Sequence, residues 1–189
     1  MKIEIVNEIA KKPSDTILRL VRVPAGFGCE ELLVGETPVT EAQWAEVMGG
    51  EAERPNYPKV NVSALDAEEF CEKLSEQTGM EFRLPTELEQ ARCLGIDPPN
   101  LTECAVFDEN LTKIKTKFPN EYELYDVRGL VWEWTAEEGE GEIRRLRGGS
   151  WYYDVGSCRS ANRLRLGAGD RHLDVGFRVV VVRPPSTLE

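Results

Sequence analysis

The sequence predicts an α+β domain, and three observations carry that prediction. Helix-start signals followed by apolar residues at helical spacing gather in the first half of the chain, at Thr40, Ser63 and Thr86. Short β-branched and aromatic runs bounded by Gly, Pro and Asp gather in the second half and end in Val179 to Val182. No strand–helix–strand alternation links the two halves, which separates this pattern from a doubly wound parallel sheet. With 189 residues and 41% apolar content the chain can bury one sizeable core, and residues 1–189 read as a single domain.

Taken in order, Lys2 to Val6 and Ile17 to Val23 are short β-like stretches, the second ended by Pro24. Thr40 followed by Gln43 is a capping box, and Trp44, Val47 and Met48 follow at helical spacing. A helix is therefore expected from about Thr40 to Met48, stopped by Gly49-Gly50. Ser63 with Asp66 caps a second helix whose stripe is Ala67, Phe70, Cys71 and Leu74, and Gly79 supplies its left-handed stop. Both stripes read as core. Glu81 to Leu84 is a short strand that turns at Pro85 into a third helix capped by Thr86 and Glu89. Residues 96–121 show no clear period and contain Pro98-Pro99, so an irregular insertion is expected there. Gly139 and Gly141 mark a loop before the run Ile143 to Arg147.

The formal net charge of −11 argues against general binding to nucleic acid or to an anionic membrane surface. No apolar run reaches the roughly 18 to 20 residues of a membrane span, so no membrane insertion is expected. The opening residues lack the apolar core of a signal peptide, so the chain reads as soluble, with its location open. The five cysteines are scattered, odd in number and never spaced Cys-x-x-Cys, and read as buried free thiols rather than a disulfide framework. The single histidine, His172, leaves no basis for a multi-histidine metal centre.

The stretch from Arg147 to Val182 differs in character from the rest. It opens with a Gly148-Gly149 turn into Ser150-Trp151 and closes in a β-branched run. Residues 152–174 mix Tyr, Asp, Ser, Leu, Arg, Gly and His with neither helical nor alternating period, so none of them reads as core. A long surface segment between two well-specified strands is expected to contact a partner.

An ordered set of motifs spans most of the chain. It comprises Val34-Gly35 with Val39-Thr40, Tyr57-Pro58 leading to Asp66-Ala67, and Arg83-Leu84-Pro85-Thr86-Glu87. It continues with Leu124-Tyr125-Asp126, Trp132-Glu133-Trp134-Thr135, Arg147-Gly148-Gly149-Ser150-Trp151 and Gly176-Phe177-Arg178. In that order these motifs resemble the formylglycine-generating enzyme family. The resemblance implies a C-type lectin fold: a mostly antiparallel sheet, two or three helices and much irregular backbone. Family members that oxidise a sulfatase cysteine use a cysteine pair after the Gly-Gly-Ser motif, whose thiolates bind copper. Here only Cys158 follows it, and Tyr152 and Tyr153 stand at the place of the first cysteine. A sulfoxide-forming iron branch would need clustered histidines. No enzyme is expected.

The same stretch resembles the variable region of diversity-generating retroelement proteins, in which adenine-directed errors rewrite codons at the end of a C-type lectin gene. The frame is Gly-Gly-Ser-Trp, then Cys158-Arg159-Ser160-Ala161-Asn162-Arg163, then Gly176-Phe177-Arg178-Val179. This resemblance makes Tyr152, Tyr153, Asp154, Ser157, Leu164, Arg165, Leu166, Gly167, Asp170, His172, Leu173 and Asp174 the variable positions, all reachable from an Asn codon by adenine changes. It implies a binding protein that presents them to a protein or glycan ligand; the alternatives are the oxidase and a lectin-like domain with a fixed site. Arg159, Asn162, Arg163, Arg171 and Arg178 are read as scaffold, bonding irregular backbone. No cofactor is required. The family resemblance also implies a Ca2+ site from Asp126, Glu133 and the carbonyls of Gly129 and Val131, although Leu130 stands where the family has Asn. Two carboxylates accepting hydrogen bonds in a buried turn are the alternative.

Overall fold

The computed structural model describes residues 1–6, 18–26, 28–138 and 142–181. The expected positions Ile17, Gly139, Gly141 and Val182 lie outside the described residues. Strand β1 (Ile3–Val6) pairs in parallel with β2 (Leu18–Val23), which turns back antiparallel onto β3 (Leu32–Gly35).

The three helices begin where their capping boxes place them. In α1 (Glu41–Met48) the Thr40 hydroxyl accepts the Gln43 N–H and the Gln43 side chain accepts the Thr40 N–H. In α2 (Ala64–Thr78) Ser63 and Asp66 repeat the exchange, and Gly79 ends the helix at φ 72°. Strand β4 (Phe82–Arg83) leads into α3 (Glu87–Leu94), capped by Thr86 and Glu89. Trp44 of α1 stacks on Phe70 of α2 at 5.6 Å between centroids, and Phe177 meets Phe70 edge-on at 5.2 Å.

Residues 96–121 are more than an insertion. A 3-10 turn at Leu101–Glu103 precedes β5 (Ala105–Val106), which pairs in parallel with β6 (Arg128–Gly129). Leu101, Ala105 and Val106 are buried, so this segment closes part of the core. Its strand is only two residues long, too short to register as a period.

Strand β7 (Trp132–Glu138) pairs antiparallel with β8 (Ile143–Arg147), which pairs antiparallel with β9 (Leu164–Gly167). Strand β10 (Val175–Gly176) lies parallel on the other side of β7. Last, β11 (Val180–Val181) enters between β3 and β4, antiparallel to both, so the C-terminal strand is central to the sheet β1-β2-β3-β11-β4. The architecture is α+β and mostly antiparallel. The parallel ladders are β1·β2, β5·β6 and β10·β7.

One apolar cluster joins both larger sheets to α1 and α2, through Leu20, Leu33, Phe70, Leu74, Trp134, Leu146 and Val179. A second, with Cys93, Leu94, Leu124 and Val180, lies under α3. Two residues of the 152–174 stretch, Cys158 and Ala168, are buried, contrary to the expectation that none belongs to the core.

Candidate ligand-binding face

The face is built outward from β8. Gly149 follows it at φ 82°, and an added Cβ there would lie 2.8 Å from the backbone of Ser157 and Cys158. Glycine is therefore what lets the chain fold back on itself at this point. The Trp151 carbonyl accepts the Glu109 N–H at 3.1 Å and the Tyr153 carbonyl accepts the Asp108 N–H at 3.0 Å, so the 105–110 segment buttresses the aromatic turn. Trp132, Tyr153, Tyr152 and Trp151 form an edge-to-face series with centroid spacings of 6.3, 5.5 and 5.5 Å. Its outer member Tyr152 is 66% exposed.

Asp154 then caps a 3-10 turn, Val155–Cys158, by accepting the Gly156 N–H at 2.8 Å. The turn is fastened from beneath by two buried arginines. Arg128 donates to the Cys158 carbonyl at 3.0 Å and to Asp97 at 2.7 Å, and Asp97 also accepts the Ser160 N–H at 2.9 Å. Arg147 donates to the carbonyls of Ser160 at 2.6 Å and Asn162 at 3.1 Å. Neither arginine was singled out as scaffold from sequence, because nothing in residue type or spacing marks a guanidinium as buried.

Of the five scaffold residues expected, three bond backbone as expected, and Arg171 bonds a carboxylate instead. Arg178 donates to the carbonyls of Gly35 at 2.6 Å and Tyr125 at 2.7 Å; Arg163 bonds Glu87 and the Ala161 carbonyl. Asn162 donates to the Gly156 carbonyl, and Arg171 grips Asp66 through two 2.7 Å bonds. Arg159 is the fifth: it is exposed, with no side-chain bond found among the described residues.

None of the twelve candidate positions is buried. Tyr152, Tyr153, Asp154, Arg165, Asp170, His172 and Leu173 are exposed, Leu173 by 68%. Ser157, Leu164, Leu166, Gly167 and Asp174 are half-buried. Leu164 and Leu166 need correction as free surface residues, since they lie on β9 and pack against the main core. Their alternation is two residues deep, too brief to stand out. Asp174 accepts the Ser150 hydroxyl at 2.8 Å, and Asp170 accepts the Gly167 N–H at 2.8 Å while its own N–H bonds the Gly167 carbonyl. Val155, 37% exposed, joins the segment's apolar surface and was not singled out from sequence.

Cys158 is fully buried beside Leu101 and Ala105, and burial pushes its thiol up to about 11. A thiol so placed stays protonated and is a poor nucleophile or soft-metal ligand near neutral pH.

Both carboxylates expected to hold Ca2+ already have protein partners. The Glu133 carboxylate is fully buried and already spanned by Arg178, at 3.0 and 3.1 Å, and by the Gln90 amide at 2.6 Å. Asp126 accepts the Lys115 N–H at 2.8 Å. A guanidinium already supplies the positive charge beside Glu133 that a calcium ion would supply. Addition of calcium, or of a chelator, should therefore leave the thermal midpoint unchanged, since a bound ligand would raise it.

Burial raises the Asp126 carboxyl from 3.8 to about 6. In that window the native state holds a proton that the unfolded state has released, so this group's contribution to stability falls as pH rises through it. Asp126→Asn keeps an acceptor for Lys115 and suits the positive φ of 55°. The variant should match the parent near pH 4 and exceed it by about 2–3 kcal/mol at pH 7, read from urea midpoints at both pH values.

Among the described residues, no helix is long and apolar enough to cross a membrane. The profile of the sulfatase-modifying factor enzyme 1-like domain matches residues 22–95 and 100–183. The chain is 32% identical over 188 residues to the inactive C-alpha-formylglycine-generating enzyme 2 of Bos taurus, an alignment covering 80% of this chain and 60% of that protein. The structure is similar to Treponema denticola variable protein 1, with TM-score 0.73 and 26% identity over 80% of this chain and 84% of that one. It is also similar in fold to PvdO from Pseudomonas aeruginosa, with TM-score 0.70 and 20% identity over 80% of each chain. With its ordered motifs, capped helices and central C-terminal strand, the chain belongs to the sulfatase-modifying factor enzyme 1-like family and has the formylglycine-generating-enzyme type of C-type lectin fold.

Proposed function

We propose that this chain is a ligand-binding protein whose 152–174 segment is diversified by a retroelement and displayed on a fixed lectin-type scaffold. One observation carries the reading: seven of the twelve positions are exposed and none is buried, while the backbone beneath them is fastened by buried residues outside the set, Arg128 and Arg147. The division suits a surface whose side chains change while its fold does not. Exposed Tyr152, Tyr153 and Arg165 are residue types that supply contact area and directional bonding at interfaces. The likeness to a protein named for its variability supports the reading.

The test is a library randomised at the seven exposed positions. Most clones should melt within a few degrees of the parent, as surface changes cost about 0.5 kcal/mol or less each. Selection against a purified protein should yield binders from this library. Widespread unfolding, or a failure to yield any binder, would sink the reading. A near-identical template differing at adenines in codons 152–174, beside a reverse transcriptase gene, is the expected genomic signature.

The oxidase alternative has the weaker footing. Cys158 is buried and protonated, and Tyr152 and Tyr153 occupy the place of its partner. Incubation with a Cys-x-Pro-x-Arg peptide, with or without copper, should yield no formylglycine.

A further inference from the structure

Arginines concentrate at one place on this acidic protein. Strands β8 and β9 pair with Arg145 directly opposite Arg165, and Leu146 opposite Leu164. Directly opposed side chains in an antiparallel pair lie about 5 Å apart, and like charges there repel. Leu164 packs into the core, so alternation sends Arg163 and Arg165 to the opposite side of the strand. On that side Arg145 at 2.6 Å, Arg147 at 3.8 Å and Arg163 all converge on the Glu87 carboxylate. Glu87 is 11% exposed and held well below the usual carboxylate range by Arg163 and Arg145, against the opposing effect of its burial. The Arg147 guanidinium is correspondingly destabilised by burial and by Arg163. Three guanidiniums thus share the Glu87 carboxylate. Arg165 is exposed beside them and has no side-chain partner among the described residues.

We propose that Arg165, backed by Arg145 and Arg163, is a carboxylate-binding subsite, and that the partner of this copy is a protein segment that presents Asp or Glu there. The inference rests on the reading of residues 152–174 as a ligand face and names the chemistry of its partner. A guanidinium fork takes a carboxylate through two parallel hydrogen bonds, and an incoming anion also relieves the Arg145–Arg165 repulsion. A protein segment fits better than a sulfated polysaccharide. Tyr152 and Leu173, 66% and 68% exposed on the same segment, offer apolar surface that a uniformly charged chain would leave unused.

The experiment is fluorescence anisotropy of a labelled peptide of Glu-Leu-Ser repeats, titrated with the full chain. The parent should bind it, R165A should weaken binding about tenfold or more, and binding should fade between about 0.05 and 0.5 M salt. R54A, which removes the same charge at an exposed arginine paired with Glu41, should bind within twofold of the parent. The thermal midpoint of R165A should equal or exceed the parent's, since a like-charge contact is removed. Equal binding of the Gln-for-Glu peptide, an unaffected R165A, or no binding by the parent would each overturn the proposal. So would capture of a sulfated oligosaccharide in place of the peptide. Such a failure leaves the library experiment untouched, because a face that evolves binders can do so without an acidic partner.

Discussion

Replacing Arg178 with methionine should cost about 3–5 kcal/mol, a large share of the roughly 5–15 kcal/mol by which domains are ordinarily stable. Arg178 and Glu133 are both fully buried, and the guanidinium bridges both carboxylate oxygens while donating to Gly35 and Tyr125. One side chain thereby joins the end of β3, the turn at Tyr125, β7 and the approach to β11. Methionine fills much of the volume but leaves the Glu133 carboxylate in the interior with Gln90 as its remaining partner among the described residues. The double variant R178M/E133L removes both charges and should recover at least about 2 kcal/mol relative to the sum of the single losses. Urea unfolding of the four proteins measures it. A single-variant loss under about 1 kcal/mol would show that water reaches the pair.

Arg128→Met should cost about 2–4 kcal/mol, and its effect should be local before it is global. The guanidinium is 1% exposed and donates to Cys158 at one end and to the Leu94 and Gly95 carbonyls at the other, at 2.9 and 3.2 Å. It therefore satisfies the C-terminal carbonyls of α3, where positive charge is favoured, and fastens the candidate face to them. Hydrogen exchange should speed up at amides 156–160 and at the end of α3, while β2 and β3 keep their protection until global unfolding. Uniform acceleration across the chain would contradict this division.

Arg128 marks the limit of what the sequence reveals. Capping boxes at Thr40, Ser63 and Thr86 are legible because donor and acceptor lie three residues apart, so their physics is local. Strands such as β4, β5, β10 and β11 are two residues long, and pairing across the chain decides them rather than propensity. The stretch that carries the candidate face is legible as a break in period, and the twelve positions within it come from the resemblance. The half-burial of Leu164 and Leu166 is not legible, and neither are the structural bonds of Asp154, Asp170 and Asp174. A charged residue carries no mark of burial in its identity: Arg128 and Arg147 read like any surface arginine until partners such as the carbonyls of Leu94 and Ser160 are placed beside them.

The bond from Asp170 to Gly167 bears on which copies of this surface could survive. Strand β9 is the outer strand of its sheet, and Asp170 occupies both the N–H and the carbonyl of Gly167, the last residue of that strand. A bare outer strand is a template on which other chains can stack and aggregate. Position 170 is among those that a retroelement would rewrite, so diversification there would change the solubility of the copy along with its specificity. Copies with a short acceptor at 170, such as Asp, Asn or Ser, would keep the border closed. Copies carrying Leu or Tyr would leave the Gly167 N–H open, and the usable repertoire would shrink by those that clump before they meet a partner.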